Sequence, residues 1–227
     1  MHIIFAWAFS LIAGLVFLNY PALILSSLLL VVWSWMQSRA LLTEPTHAYS
    51  KRLALGMSFC FIGDLGMATG ILMLAMVFFA LGHACYIWGM TGLARLLEVK
   101  RRKARGLMIL LFVLIGFGVW FYVVLNGRQG IRGGNVLLYA ALAYTVFLSV
   151  TVGVAAGIAA CDRRFVTLFV GAALFFISDA FIALRIFRPD GFAMVPVLIS
   201  SRVVWFTYGI GQFLILNSQK NAHLKLL

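Results

Sequence analysis

The feature that most limits what this chain can fold into is a succession of eight apolar runs with almost nothing between them. They cover roughly 3–19, 21–38, 51–68, 71–94, 106–125, 135–159, 165–187 and 193–217. Each is near the ~20 residues with which a helix crosses a hydrocarbon core of ~30 Å while satisfying its own backbone hydrogen bonds. The connections leave no room for a soluble domain, so the sequence predicts one all-α, polytopic transmembrane domain over 1–227. Composition agrees, since 64% hydrophobic residues, 11% charged residues and a mean hydropathy of +1.06 lie outside the range of soluble globular chains. The first run has no Lys/Arg segment ahead of it and no small-residue cleavage site before Asn19-Tyr20-Pro21, so it reads as a span and not as a signal peptide.

The basic residues are unevenly placed. With eight spans, one side receives Arg39, Lys51, Arg52, Arg95, the run from Lys100 to Arg105, Arg163, Arg164, Lys220 and Lys225, while the other receives Arg128, Arg132, Arg185 and Arg188. The positive-inside rule then puts both termini in the cytoplasm. The KRRKAR run at 100–105 adjoins a span, where it faces anionic lipid headgroups, and no nucleic-acid role is expected. Short connections point to a bacterial inner membrane. Cys60, Cys85 and Cys161 show no metal-ligand spacing and are read as small apolar filling.

Two spans share a pattern. GMSFCFIGD, 56–64, aligns with GAALFFISD, 171–179, each with a Gly eight residues before an Asp. The offset, 179 − 64 = 115 residues, is about half the chain. It reads either as two parallel-oriented four-helix halves, 1–105 and 106–220, an arrangement known among membrane folds, or as chance similarity between apolar helices. A carboxylate within an apolar span is costly and marks a reaction, an ion path or an ion pair, or else simple hydrogen bonding between helices. Spans three and seven run in the same direction, so Asp64 and Asp179 fall at similar depth and are expected to face one cavity.

Other polar residues sit on the partner spans. His83 and Tyr86 share a face at i and i+3. Arg202, Tyr208 and Gln212 follow at i, i+6 and i+10 on what reads as one broad face of the last span, with Arg202 near the depth of Asp179 and an ion pair between them expected.

GMSFCFIGD, FFALGHACYIW, LFFISDAFIALRIF and TYGIGQFLI, in this order, resemble the YhhN family of lysoplasmalogenases from about residue 53 to 217. The resemblance implies hydrolysis of the vinyl ether bond of lysoplasmalogen to a fatty aldehyde and glycerophosphocholine or glycerophosphoethanolamine. It implies catalytic roles for Asp64 and Asp179 and pocket roles for His83, Tyr86, Tyr208 and Gln212. Gly209-Ile210-Gly211 departs from the bulkier stretch expected between Tyr and Gln.

The chemistry suits two carboxylates. A vinyl ether hydrolyses by protonation of its β carbon to an oxocarbenium ion, attack by water and collapse of a hemiacetal, a demand that glycosidases meet with paired carboxyl groups. An acid for this step keeps its proton at neutral pH, and an apolar wall favours the uncharged form. The expectation is Asp64 as proton donor and Asp179, beside Arg202, as the stabilising carboxylate; the reverse holds if Arg202 binds the substrate phosphate instead. The lysophospholipid and the surrounding lipids are the expected partners, with neither metal nor organic cofactor required and no protein partner indicated. The alternative reading is a small proton-coupled transporter. An intramembrane aspartyl protease ranks below it, because Gly-x-Gly-Asp precedes neither aspartate.

Overall fold

The structure, a computed structural model, describes residues 2–42, 44–97, 102–126, 134–188 and 197–226. Among them the regular elements are all helical. They are α1 (His2–Phe17), α2 (Tyr20–Ala40), α3 (His47–Ala68), α4 (Leu72–Leu96), α5 (Arg102–Val119), α6 (Gly134–Ala159), α7 (Val166–Phe187) and α8 (Val197–Leu226). A π-helical turn, Trp120–Leu125, prolongs α5, and a 3-10 turn, Arg163–Phe165, leads into α7.

Five of the described segments are long and apolar enough to cross a membrane: Tyr20–Ala40, Leu72–Leu96, Lys103–Leu125, Asn135–Ala159 and Arg163–Phe187. Their outward faces carry large apolar side chains, and on α1 and α5 Phe9 is 76% exposed, Phe17 79% and Leu107 61%. Such surface is unfavourable in water and natural against lipid, and the chain fits a membrane protein. The remaining helices differ for identifiable reasons. α1 has only 16 residues. α3 and α8 turn polar side chains inward, burying Ser50 and Asp64 on one and Tyr208, Gln212, Ser218 and Gln219 on the other. These two helices also outrun the apolar stretches that announce them, α3 beginning at His47 and α8 continuing to Leu226. Their polar ends are paired internally, Tyr49 Oη lying 2.6 Å from Ser218 Oγ. Lys100, Arg101, Arg128, Arg132, Pro189 and Pro196 lie outside the described residues.

Among the described residues α1 and α2, and α3 and α4, pack as antiparallel hairpins closed by short corners, and α5 packs on α6 and α7 on α8. Asn19 caps α2 by accepting from the Ala22 N–H at 3.3 Å, with Pro21 in the first turn where its missing N–H costs nothing. Gly70, at φ +75°, ends α3 in the left-handed conformation while the Ile71 N–H returns to the Gly66 carbonyl at 2.9 Å. Two hairpins approach unusually closely. A Cβ on Gly56 or on Gly82 would stand 3.0 Å from the other's carbonyl oxygen, and a Cβ on Gly171 or Gly211 would stand 2.7 or 2.8 Å from its partner's. The glycine at 211, one of the departures from the expected family pattern, is therefore what lets α8 lie against α7. α2 also packs on α8, and α4 on α6, which joins the hairpins into one bundle.

Candidate active site

The close α3/α4 and α7/α8 packing fixes the two helices that carry the carboxylates. Asp64 is buried, and one of its oxygens, Oδ2, accepts two hydroxyl hydrogen bonds, one from Ser27 Oγ on α2 and one from Tyr208 Oη on α8 at 2.8 Å. Asp179 is half-buried, and its Oδ2 accepts from Tyr144 Oη on α6. Neither makes an ion pair among the described residues. Hydroxyl donors thus supply what a carboxylate needs when taken from water.

Both aspartates line one cavity of about 420 Å³, together with Tyr208, Ser178, Arg185, Ser201 and Trp205. Asp179 also lines a second, narrower and almost wholly apolar cavity of about 80 Å³, between the π-helical turn, α6 and α7. Phe79, Met67 and Ile182 are common walls, so Asp179 stands at the junction of the wider chamber, which carries the polar side chains, and the narrower apolar one. The π-helical turn contributes Trp120 and Val124 to the apolar side, and Trp120 is anchored by donating to the Leu138 carbonyl at 3.3 Å. A straight α-helix was the expectation there; the wider turn re-aims these side chains, as π segments at functional sites often do.

The remaining expected residues divide. Tyr208 joins the aspartates. His83, Tyr86 and Gln212 form a buried layer on the basic-flank side of the cavity and line neither chamber. In that layer Tyr86 donates to Gln212 Oε1 at 2.7 Å, and His83 Nδ1 lies 3.0 Å from Thr151 Oγ1. The His83 ring meets Phe175 edge-on at 4.6 Å, and Phe175 in turn meets Tyr208 at 5.1 Å, so the layer braces the site through aromatic contacts. Among the described residues no three His, Cys, Asp or Glu side chains converge as metal ligands would.

Arg202 corrects the sequence reading. It makes no ion pair with Asp179; it is exposed, and donates from Nε to the Leu15 carbonyl at 3.0 Å and from Nη2 to that of Val16 at 3.3 Å, at the end of α1. The reason is helical geometry. Six residues at 3.6 per turn leave Arg202 about 120° around α8 from Tyr208. The face that meets the cavity is Ser201, Trp205 and Tyr208, one turn apart each. Arg202→Met is accordingly expected to leave the aldehyde release that the resemblance implies within about threefold of wild type. It should cost roughly 1 kcal/mol of stability, through lost bonds to the negative end of α1. Thermal melting and turnover on the same preparation check this; a sharp loss of turnover in folded protein would return Arg202 to the site.

Sequence reasoning missed Ser27, Tyr144, Arg185 and Trp205. No motif announced them: Ser27 lies 37 residues before Asp64 and Tyr144 lies 35 before Asp179, each on a different helix from the aspartate it meets. No curated protein and no solved structure matches the chain. A family model described as the YhhN family matches residues 18–219, from the α1–α2 corner through most of α8 and including every residue of the site, and the chain belongs to that family.

Proposed function

We propose that this protein is a membrane-embedded lysoplasmalogenase that cleaves the vinyl ether of a lysophospholipid by carboxylate acid/base catalysis. The observation that carries the reading is the placement of two hydroxyl-bonded aspartates in one chamber, with Asp179 at its junction with a narrower apolar one. A lysoplasmalogen has the same division, a hydrocarbon chain on one side of its vinyl ether and a polar glycerophosphate on the other.

The two chambers support a division of roles. The β carbon that takes the proton is the one bonded to the hydrocarbon chain, so the acid is the group shared with the apolar chamber, Asp179. This reverses the order expected from the sequence, which rested on the Arg202 pair. Asp179 gives its proton to the β carbon, and the oxocarbenium charge develops beside both carboxyl groups. Asp64, which faces the polar chamber, takes a proton from the attacking water as the water's oxygen bonds to the oxocarbenium carbon. The hemiacetal then returns its hydroxyl proton to Asp179 while Asp64 protonates the departing glycerol oxygen, releasing aldehyde and restoring both groups. Tyr208 and Tyr144 hold the carboxyl groups in orientation throughout.

The setting is read in the same way. All eight helices cross the membrane, that of a bacterial cytoplasm, with both termini on the cytoplasmic side and surrounding lipids as substrate reservoir. The matched Gly/Asp patterns and the two close glycine pairs support a division into two related halves. Purified in detergent, the protein is expected to release fatty aldehyde from lysoplasmalogen, an activity that needs no sealed membrane. Absence of release from both choline and ethanolamine substrates, with proton-coupled uptake in sealed vesicles, would favour the transporter.

A further inference from the structure

Among the described residues Arg185 is the cation that lines the larger cavity. It sits two residues from the end of α7, half-buried, and donates from Nη1 to Ser201 Oγ on α8 at 3.1 Å. It shares the cavity with two aspartates and makes an ion pair with neither. A guanidinium in such a place is poorly compensated by protein alone, and its planar fork matches a phosphate bidentately. The spacing fits as well. Six residues of α7 separate Arg185 from Asp179, about 9 Å along the helix axis. In a lysophospholipid the oxygen-bearing vinyl carbon is six bonds from phosphorus, which spans roughly 7–8 Å when extended at about 1.2 Å per bond.

We propose that Arg185, braced by Ser201, is a phosphate-binding subsite at the polar end of the cavity, selecting alkenyl lipids whose glycerol carries a phosphodiester over phosphate-free alkenylglycerols. This rests on the hydrolase reading and adds to it a positioning role. With phosphate held at Arg185, the vinyl ether comes to Asp179 and the hydrocarbon chain continues into the apolar chamber. Trp205 and Tyr208 wall the glycerol between them.

The test compares lysoplasmalogen with the corresponding 1-alkenylglycerol on wild type, Arg185→Met, Arg185→Lys and Ser201→Ala. The ratio of the two kcat/KM values should fall about 10- to 100-fold in Arg185→Met, the loss expected for a charge-assisted hydrogen-bonded pair. It should fall chiefly through KM, with partial recovery in Arg185→Lys and an intermediate value in Ser201→Ala. An unchanged ratio in folded Arg185→Met overturns the subsite. A second arm does not depend on turnover: binding of a saturated 1-alkyl lysophospholipid and of 1-alkylglycerol, followed by tryptophan emission in detergent. Here Arg185→Met should weaken the first at least about tenfold relative to the second. Equal affinities of wild type for the two ligands overturn the proposal even if the enzyme is active. If wild type hydrolyses neither substrate, the hydrolase reading fails and the binding arm alone decides the subsite. Inorganic phosphate that binds through Arg185 as tightly as the alkyl lysophospholipid overturns the assignment to a lipid headgroup.

Discussion

Asp64→Asn and Asp179→Asn are each expected to reduce the proposed aldehyde release from lysoplasmalogen by at least about 100-fold, the scale of general acid or base catalysis, in protein that remains folded. Asparagine is chosen because it keeps the shape of the side chain and a carbonyl oxygen able to accept from Tyr208 or Tyr144. It loses the acidic proton and the negative charge. If the aspartates served only to join helices, asparagine would do this nearly as well and turnover would hold. The thermal midpoint of each variant should therefore stay close to wild type while turnover collapses. The double variant should be little worse than either single one, because acid and base act in one sequence of proton transfers. Retention of more than about a third of wild-type turnover in either single variant would remove that aspartate from the chemistry.

What the sequence disclosed and what it hid follow from the cost of each group in hydrocarbon. The spans were legible because lipid enforces helices. Asp64 and Asp179 were legible because an ionisable group within an apolar run is expensive enough to need a reason. Ser27 and Tyr144 were not, since hydroxyls are cheap in such helices. Thr145 on α6 bonds the Ala141 carbonyl of its own helix, and nothing in the sequence separates it from its neighbour Tyr144, which reaches another helix. His83, Tyr86 and Gln212 were legible as polar residues in apolar surroundings, yet rotation about the helix sets them beneath the cavity instead of on its wall. The two arginines are the clearest lesson. Arg185 and Arg202 lie near the same ends of adjacent helices, and depth along the span treats them alike. Rotation sends one into the cavity and the other onto the end of α1. The widening of α5 into a π turn also leaves no mark in a run as uniformly apolar as WFYVVL.

The residues that line the larger cavity cluster toward one end of the bundle, and this sidedness gives the second large expected effect. Tyr20 at the start of α2, Arg185 near the end of α7 and Ser201 near the start of α8 line its outer part. Arg39, Lys51, Arg52, Arg95, Arg163, Arg164 and Lys220 occupy the opposite helix ends. The hairpin contacts tie those ends together, Arg52 reaching Trp88 and Asn221 reaching Arg164. If the basic end is cytoplasmic, as the positive-inside rule has it, the mouth faces outward. Two cysteines then report opposite sides. Tyr20 is 53% exposed at the mouth, whereas the native Cys161 sits at the basic end beside Arg163. A membrane-impermeant maleimide applied to intact cells should label Tyr20→Cys almost completely and Cys161 hardly at all, with Cys161 reacting once the membrane is permeabilised. Cys60 is buried and adds no background, and the partly exposed Cys85 is replaced by Ala in both proteins. The reverse pattern would turn the bundle over and put the mouth in the cytoplasm. With the expected pattern, the proposed hydrolase would take its substrate from the outer leaflet, release the headgroup on the non-cytoplasmic side and leave the aldehyde in the bilayer, acting on lysolipid where a cytoplasmic hydrolase has no access.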